Sequence, residues 1–222
     1  MGWNGAVMTA ANKLSRAEQK AHRPQEILDA AFEEFTRNGY ASTRLDDVAK
    51  RLGVTKGTIY LYFPSKEALF EAAIRHVSTP ISEMLAAAEA ATGSCADRLR
   101  RTLVLASELI ENDARVRELI RLTLTEATRF PDIVDRHHEE FIDPLIDIIH
   151  TLVRQGIDSG EFRPVDLTAA PQFILSTLLH GAMHKLMFDD RRPFNGAAFI
   201  KVQVDLVLHG VLANRAEGVT RD

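Results

Sequence analysis

The chain has 222 residues, 45% of them hydrophobic and 26% charged, with a formal net charge of −4. This is ordinary globular material, enough for one large domain or for a small one joined to a larger one. No apolar run approaches the roughly 18 residues a membrane span needs, and no charged start leads into an apolar core, so neither span nor signal peptide is expected. The single cysteine, Cys95, excludes an internal disulfide and fits a cytoplasmic location. Charge is unevenly spread: residues 1–81 carry +2 and residues 82–222 carry −6. An acidic body with a mildly basic head suits a protein that touches DNA at one end only.

Residues 1–20 are small and polar without apolar periodicity and are expected to form a flexible arm. Lys13, Arg16 and Lys20 are solvated there or brush a DNA backbone. The first helix is expected over Arg23–Asn38. Ile27, Leu28, Ala31, Phe32 and Phe35 lie on one face, Pro24 sits in the first turn and Asn38-Gly39 is the stop. The second helix spans Leu45–Leu52, with Thr43 as its expected cap. Asp46 and Asp47 in its first turn and Lys50 and Arg51 in its last suit the helix dipole. Gly53 closes it. A third helix of Thr55–Tyr62 follows, capped by Thr55 and ended by Phe63-Pro64. Gly57 in its interior costs roughly 1 kcal/mol relative to Ala, which makes sense if another surface must come very close. Two short helices joined by a tight glycine turn are the arrangement that lays the second in a DNA major groove.

The run Val48-Ala49, then Gly53-Val54-Thr55-Lys56-Gly57-Thr58-Ile59-Tyr60-Leu61-Tyr62-Phe63-Pro64-Ser65-Lys66-Glu67-Ala68-Leu69, resembles the DNA-binding signature of the TetR family of transcriptional regulators. The likeness covers residues 25–75, and the rest is similar in length and helical pattern only. It implies a homodimeric repressor on a palindromic operator, with a larger C-terminal domain that binds a small effector. It also implies that Thr43, Thr55, Tyr60, Tyr62 and Lys66 meet phosphates, and that Arg44, Lys56, Gly57 and Thr58 approach bases or the groove edge. Position 62, often His in the family, is Tyr here; Arg44 stands where a small hydroxyl residue is common. Repressor, activator and partner-regulated regulator share this head. Residues 21–81 are taken as the DNA-binding domain and 82–222 as the effector-binding and dimerisation domain.

Ser65 opens the fourth helix, which runs from Lys66 to about Ala91. Pro80 either kinks it or marks a restart with Thr79 as cap. Lys66 at a helix N-terminus opposes the dipole unless a phosphate binds there. Helices over Cys95–Asn112, Ala114–Arg129 and Pro131 to about Ser159 follow, the last with Pro144 in its middle. Two more are expected over Asp166–Phe188 and Ala197–Arg215, completing an all-α fold of about nine helices. Both are apolar on more than one side and so must be covered twice. That pattern points to an intersubunit four-helix bundle, with Ile174, Leu178, Gly181, Ala182, Lys185, Val202, Leu206 and His209 at the interface.

Ser107, Thr123, Phe130, His137, Phe141, Phe173 and Thr177 are the candidate effector-pocket residues. With no cluster of acids or bases among them, an apolar, aromatic or amphipathic effector is favoured. His180 and His184 share a helix face but lack a third ligand at metal spacing, so neither a metal nor a cofactor is expected. Cys95, at a helix N-terminus, is a place where thiol pKa falls and oxidation sensing begins, or simply a small residue at a joint. No nucleophile–base pair or phosphate loop is present, and an enzyme is not expected.

Overall fold

Helix boundaries follow local chemistry closely. In the computed structural model, which describes residues 16–166, 169–188, 191–192 and 195–212, eleven α-helical segments are found. They are α1 (Arg16–Ser42), α2 (Leu45–Leu52), α3 (Lys56–Tyr60), α4 (Lys66–Val77), α5 (Thr79–Glu89) and α6 (Cys95–Asn112). Then come α7 (Ala114–Glu126), α8 (Pro131–His137), a π-helical turn (His138–Ile142), α9 (Asp143–Asp158), α10 (Ala170–Phe188) and α11 (Gly196–Val211). With α4–α5 and α8–α9 each taken as one rod, the described residues form nine rods in an all-α fold.

Caps account for most starts. Thr55, Ser65, Ser94 and Asn195 each accept a backbone N–H at the third position of the helix they open. The start of α2 differs from expectation by one residue: Arg44 is the N-cap, and the Asp47 carboxylate accepts its N–H at 3.3 Å. Thr43 is not a cap. It is 1% exposed, and its hydroxyl donates to the carbonyls of Glu34 (3.0 Å) and Gly39 (2.8 Å), so it ties α2 to the end of α1.

Three other boundaries move. α1 begins at Arg16, so Pro24 lies inside the helix rather than in its first turn, and the arm expected over 1–20 loses its last five residues; Lys13 lies outside the described residues. Gly39, with φ 74 and ψ 160, breaks α1 at the expected stop. The long fourth helix is interrupted at Ser78, after which α5 restarts with Pro80 in its first turn, where a missing N–H costs nothing. α11 ends at Val211 because the next residue, Leu212, turns extended and pairs with Phe162, while the Arg163 N–H donates to the Val211 carbonyl at 2.8 Å.

Pro144 sits just after the π-helical turn, whose Asp143 N–H reaches back five residues to the His138 carbonyl. A wide turn before a proline relieves the clash its ring makes with the preceding turn. It also brings Ile133 and Phe141, both buried, to the same side; eight residues of regular α-helix would set them about 80° apart.

Buried apolar side chains form one continuous cluster from Ile27 of α1 to Val211 of α11. At its head end four rings meet: Phe35, Tyr40, Phe70 and Phe130, with centroids 4.2–5.7 Å apart. α10 packs against α6, α7 and α9, and α11 packs against α6.

Candidate nucleic-acid interface

The residues expected to meet DNA lie at three successive helix starts. Arg44 precedes α2, Thr55 precedes α3, and Lys66 is the first residue of α4. Between them α3 presents an outward face. Ile59 points inward and is fully buried, whereas Tyr60 is 47% and Leu61 82% exposed. Gly53 closes α2 in the left-handed conformation, φ 66, and makes the tight turn between the two helices.

Local bonds preset this face. Thr55 Oγ1 accepts from the Thr58 N–H at 3.2 Å and lies 3.0 Å from the Thr58 hydroxyl. Lys56 reaches back 2.9 Å to Asp46 of α2, and that ion pair raises its pKa. A Cβ at Gly57 would meet only Thr55 Oγ1, at 3.7 Å, so nothing within the chain asks for glycine there. Tyr62 is half-buried against the core. Thr43, buried and doubly bonded, offers its hydroxyl to the fold rather than to the surface. With Ile59 and Phe63 inward, the sequence leaves Leu61 to solvent or DNA together with Lys56, Thr58, Tyr60 and Tyr62, and Leu61 is indeed exposed, though it is not among the expected contact residues.

Lys66 is held more firmly than a surface lysine. Its ammonium lies 4.2 Å from the Tyr40 ring centroid and 3.4 Å from the Ala41 carbonyl. Burial and the nearby Arg129 guanidinium lower its pKa. Ser65 caps α4 through the Ala68 N–H at 3.1 Å.

The body residues are distributed differently from expectation. Ile174, Leu178, Gly181 and Ala182 were expected at an intersubunit interface, but they face the chain's own core and are buried. Lys185 is paired within the chain, 2.8 Å from the Glu111 carboxylate and 3.0 Å from its carbonyl. Val202, Leu206 and His209 are exposed, as are Phe173, Leu179, Met183 and Met187 of α10. A groove of about 390 Å³ runs between α10 and α11, lined by Phe173, Thr177, His180, Phe199, Val202 and Leu206.

The candidate effector residues do not share one pocket. Phe130 belongs to the four-ring cluster beside Tyr40. Thr123 turns its hydroxyl onto the Leu119 and Ile120 carbonyls of its own helix. Ser107 and Thr177 are joined through Gln203, whose amide donates to Thr177 at 2.9 Å and whose oxygen lies 3.4 Å from the Ser107 hydroxyl. Phe173 stands on the outer groove. His137 and Phe141, rings 5.1 Å apart, border a separate cavity of about 10 Å³ between α4 and α8, room for about one water.

Around that cavity Arg75 holds Glu140 by two bonds of 2.8 and 3.2 Å, and Arg136 holds Glu71 at 2.8 Å. His137 is desolvated there, and burial, together with the neighbouring His138, pushes its pKa down to about 4. An unfolded histidine titrates near 6.5. The unfolded state therefore binds the extra proton first, and the stability that neutral His137 allows is complete above pH ~6.5 and lost as pH falls toward ~4. Urea unfolding of wild type and His137→Gln is expected to converge by about 3 kcal/mol between pH 7 and pH 4. Parallel pH profiles contradict this assignment.

Cys95 does not have the lowered pKa expected of a thiol at a helix start. The Glu161 carboxylate already occupies that N-terminus, accepting the Cys95 and Ala96 N–H groups at 2.8 and 2.9 Å. Burial, then Glu161, raises the thiol pKa and keeps it protonated. Among the described residues no three His, Cys, Asp or Glu side chains gather as a metal site, and no helix is long and apolar enough to cross a membrane.

Comparison with known proteins matches both parts of the chain. Residues 27–73 match the model for bacterial regulatory proteins of the tetR family, and residues 89–207 match the tetracyclin repressor-like C-terminal domain. The Fatty acid metabolism regulator protein of Bacillus subtilis (strain 168) is 24% identical over 195 residues, 87% of this chain and 98% of that one. The crystal structure of the transcriptional regulator FadR from Bacillus subtilis in complex with stearoyl-CoA superposes with a TM-score of 0.68 at 24% identity, covering 84% of this chain and 98% of that one. A transcriptional regulator from Saccharomonospora viridis in complex with choline gives a TM-score of 0.72 at 21% identity, covering 87% and 99%.

Proposed function

The chain belongs to the TetR family of bacterial regulatory proteins and is a DNA-binding transcriptional regulator; from that premise we propose a homodimeric repressor that leaves a palindromic operator when a small apolar or amphipathic effector binds. Residues 21–81 are the proposed DNA-binding unit and 82–222 the effector-binding and dimerisation unit. The observation that carries the reading is the stretch from Arg44 to Lys66, where an open Gly57 and the exposed Tyr60 and Leu61 lie one turn apart at α3 and a preset Lys66 opens α4. Two such faces about 34 Å apart enter successive major grooves.

A pairing surface is supported by the exposed apolar faces of α10 and α11, with Phe173 at 68% and Leu206 at 66% exposure. A second copy supplies the matching apolar face and builds a four-helix bundle. Leu206→Asp is expected to yield monomers in analytical ultracentrifugation while far-UV circular dichroism stays unchanged. A variant that still sediments as a dimer removes α11 from the interface. The effector is proposed to bind beside the Ser107–Gln203–Thr177 line, where α6, α10 and α11 meet apolar surface with a few hydroxyl and amide groups. Stearoyl-CoA, bound by the Bacillus subtilis regulator, has the amphipathic character this reading calls for.

Selection from a random duplex library by wild-type protein tests the DNA reading, with a short palindrome as the expected product. On that duplex Lys66→Ala is expected to weaken binding about tenfold regardless of sequence and to flatten the salt dependence by about one unit. An unchanged salt slope removes the phosphate role of Lys66. A reporter driven by the chain's own promoter rises on gene deletion if the protein represses and falls if it activates.

A further inference from the structure

Both partners of the Lys66 ammonium, the Tyr40 ring and the Ala41 carbonyl, lie in the short segment that follows Gly39. With φ 74 and ψ 160, Gly39 adopts a backbone conformation open to glycine and nearly closed to other residues. The chain leaves the axis of α1 there, so this segment depends on outside contacts for its place. The head supplies some, through the Phe35 and Phe70 rings against Tyr40 and the Thr43 bonds to Glu34 and Gly39, and the body supplies the rest. The Tyr40 N–H donates to Glu126 Oε1 at 3.0 Å. The Thr36 carbonyl, which would accept that N–H in an unbroken helix, accepts from Arg121 of α7. Glu126 Oε1 also stands 3.5 Å from where a Cβ of Gly39 would be, so the carboxylate rests on the bend itself. The Phe130 ring packs 4.2 Å from that of Tyr40, and the Arg129 guanidinium lies 5.5 Å from the same ring. On the side of α4, the Tyr40 hydroxyl donates to Glu67 at 2.6 Å.

We infer that Glu126 is a positioning residue for DNA binding: it fixes the Tyr40–Ala41 platform on which the Lys66 ammonium is held, and so links the α7–α8 corner of the body to a phosphate-binding residue. The inference rests on the DNA-binding reading of Lys66 given above. Two further contacts make α7 a clamp along α1: Arg121 on the Thr36 carbonyl and Arg115 on Asp29 at 2.5 Å. A displacement of the corner that holds Glu126, Arg129 and Phe130 therefore reaches the head through α1, in addition to the contact of Phe130 with Phe70 of α4.

Two measurements test the inference, one without DNA. In hydrogen exchange, Glu126→Ala is expected to speed exchange at the Tyr40 amide at least tenfold, while exchange in the α9 core stays as in wild type. Against the duplex selected by wild type, the same variant is expected to bind about tenfold more weakly. Glu126→Gln keeps an oxygen acceptor and removes a negative charge near the DNA, so it is expected to bind as wild type or more tightly. In the Lys66→Ala background Glu126→Ala is expected to add no further loss, because the platform then holds nothing. Wild-type exchange at Tyr40 in Glu126→Ala overturns the inference whether or not a duplex is selected, and so do losses that add independently. Failure of wild type to select any duplex, with fast Tyr40 exchange in the variant, overturns the DNA reading instead.

Discussion

Gly57→Gln is expected to lower operator affinity about a hundredfold, about 2.7 kcal/mol, without lowering the melting temperature. Within the chain the site is open: the nearest atom to an added Cβ is Thr55 Oγ1, at 3.7 Å. A side chain there therefore meets no protein atom it must displace, and replacing glycine in a helix gains up to about 1 kcal/mol. Any loss of binding must come from outside the chain, where a side chain of four heavy atoms beyond Cβ holds α3 off the groove floor. Gly57→Ala refines the test. It carries the same backbone benefit with one added carbon, so it is expected to melt slightly higher and to bind between wild type and the Gln variant. Calorimetry and fluorescence anisotropy on the same samples check both. If affinity holds while Gln stands at position 57, α3 does not enter the groove by this face.

The second large effect is on stability. Phe70→Ala is expected to cost about 3–5 kcal/mol, and Phe70→Leu a fraction of that. Phe70 is almost completely buried at the meeting point of Phe35, Tyr40 and Phe130, with centroids 5.0, 5.0 and 5.5 Å away. Edge-to-face pairs of this kind add to the apolar area they bury. Phe35 and Tyr40 come from α1, Phe70 from α4, and Phe130 from the start of α8, so the ring cluster joins head to body. Its loss is expected to split the single melting transition into two, the head melting first. A single transition in the Ala variant shows that the head is held by the α7 clamp alone.

Much of the fold was legible because caps are local. Ser94 and Cys95–Asn112, or Thr55 with α3, are fixed by residues within four positions of one another. Thr43 misled because a threonine before a helix reads as a cap, while its actual partners, the carbonyls of Glu34 and Gly39, lie up to nine residues back and only the fold brings them near. The start of α1 was missed because residues 16–22 carry helix-forming residues but no apolar stripe.

In the body, periodicity ran out. α10 is apolar nearly all round, so its pattern says that both sides are covered without saying which side the chain itself covers. Ile174, Leu178 and Ala182 proved to face inward, and Phe173, Met183 and Met187 outward. Gln203, between Val202 and Val204 on an apolar helix, was the visible signal for the polar line to Ser107 and Thr177. Glu126 gave no signal at all: its partner, the Tyr40 N–H, is 86 positions away. The outward side of α3 read from the sequence agrees with the exposure of Tyr60 and Leu61 beside buried Ile59, whereas the Thr43 hydroxyl is committed inside.

The wide turn at His138–Ile142 has a consequence for how this chain tolerates change in length. Such a turn holds one residue more than the helix needs. Removing one residue there leaves an unbroken α-helix, so the rod itself survives the deletion. Phase is kept as well: across the turn Ile133 and Phe141 already lie on one side, as seven residues of regular α-helix would place them, so α8 and α9 keep their relative orientation. A deletion that spares Glu140 therefore leaves the arginine and glutamate that join this rod to α4, Arg136 and Glu140, facing Glu71 and Arg75. The wide turn acts as a length buffer, letting one helix carry an additional residue while both halves keep their neighbours.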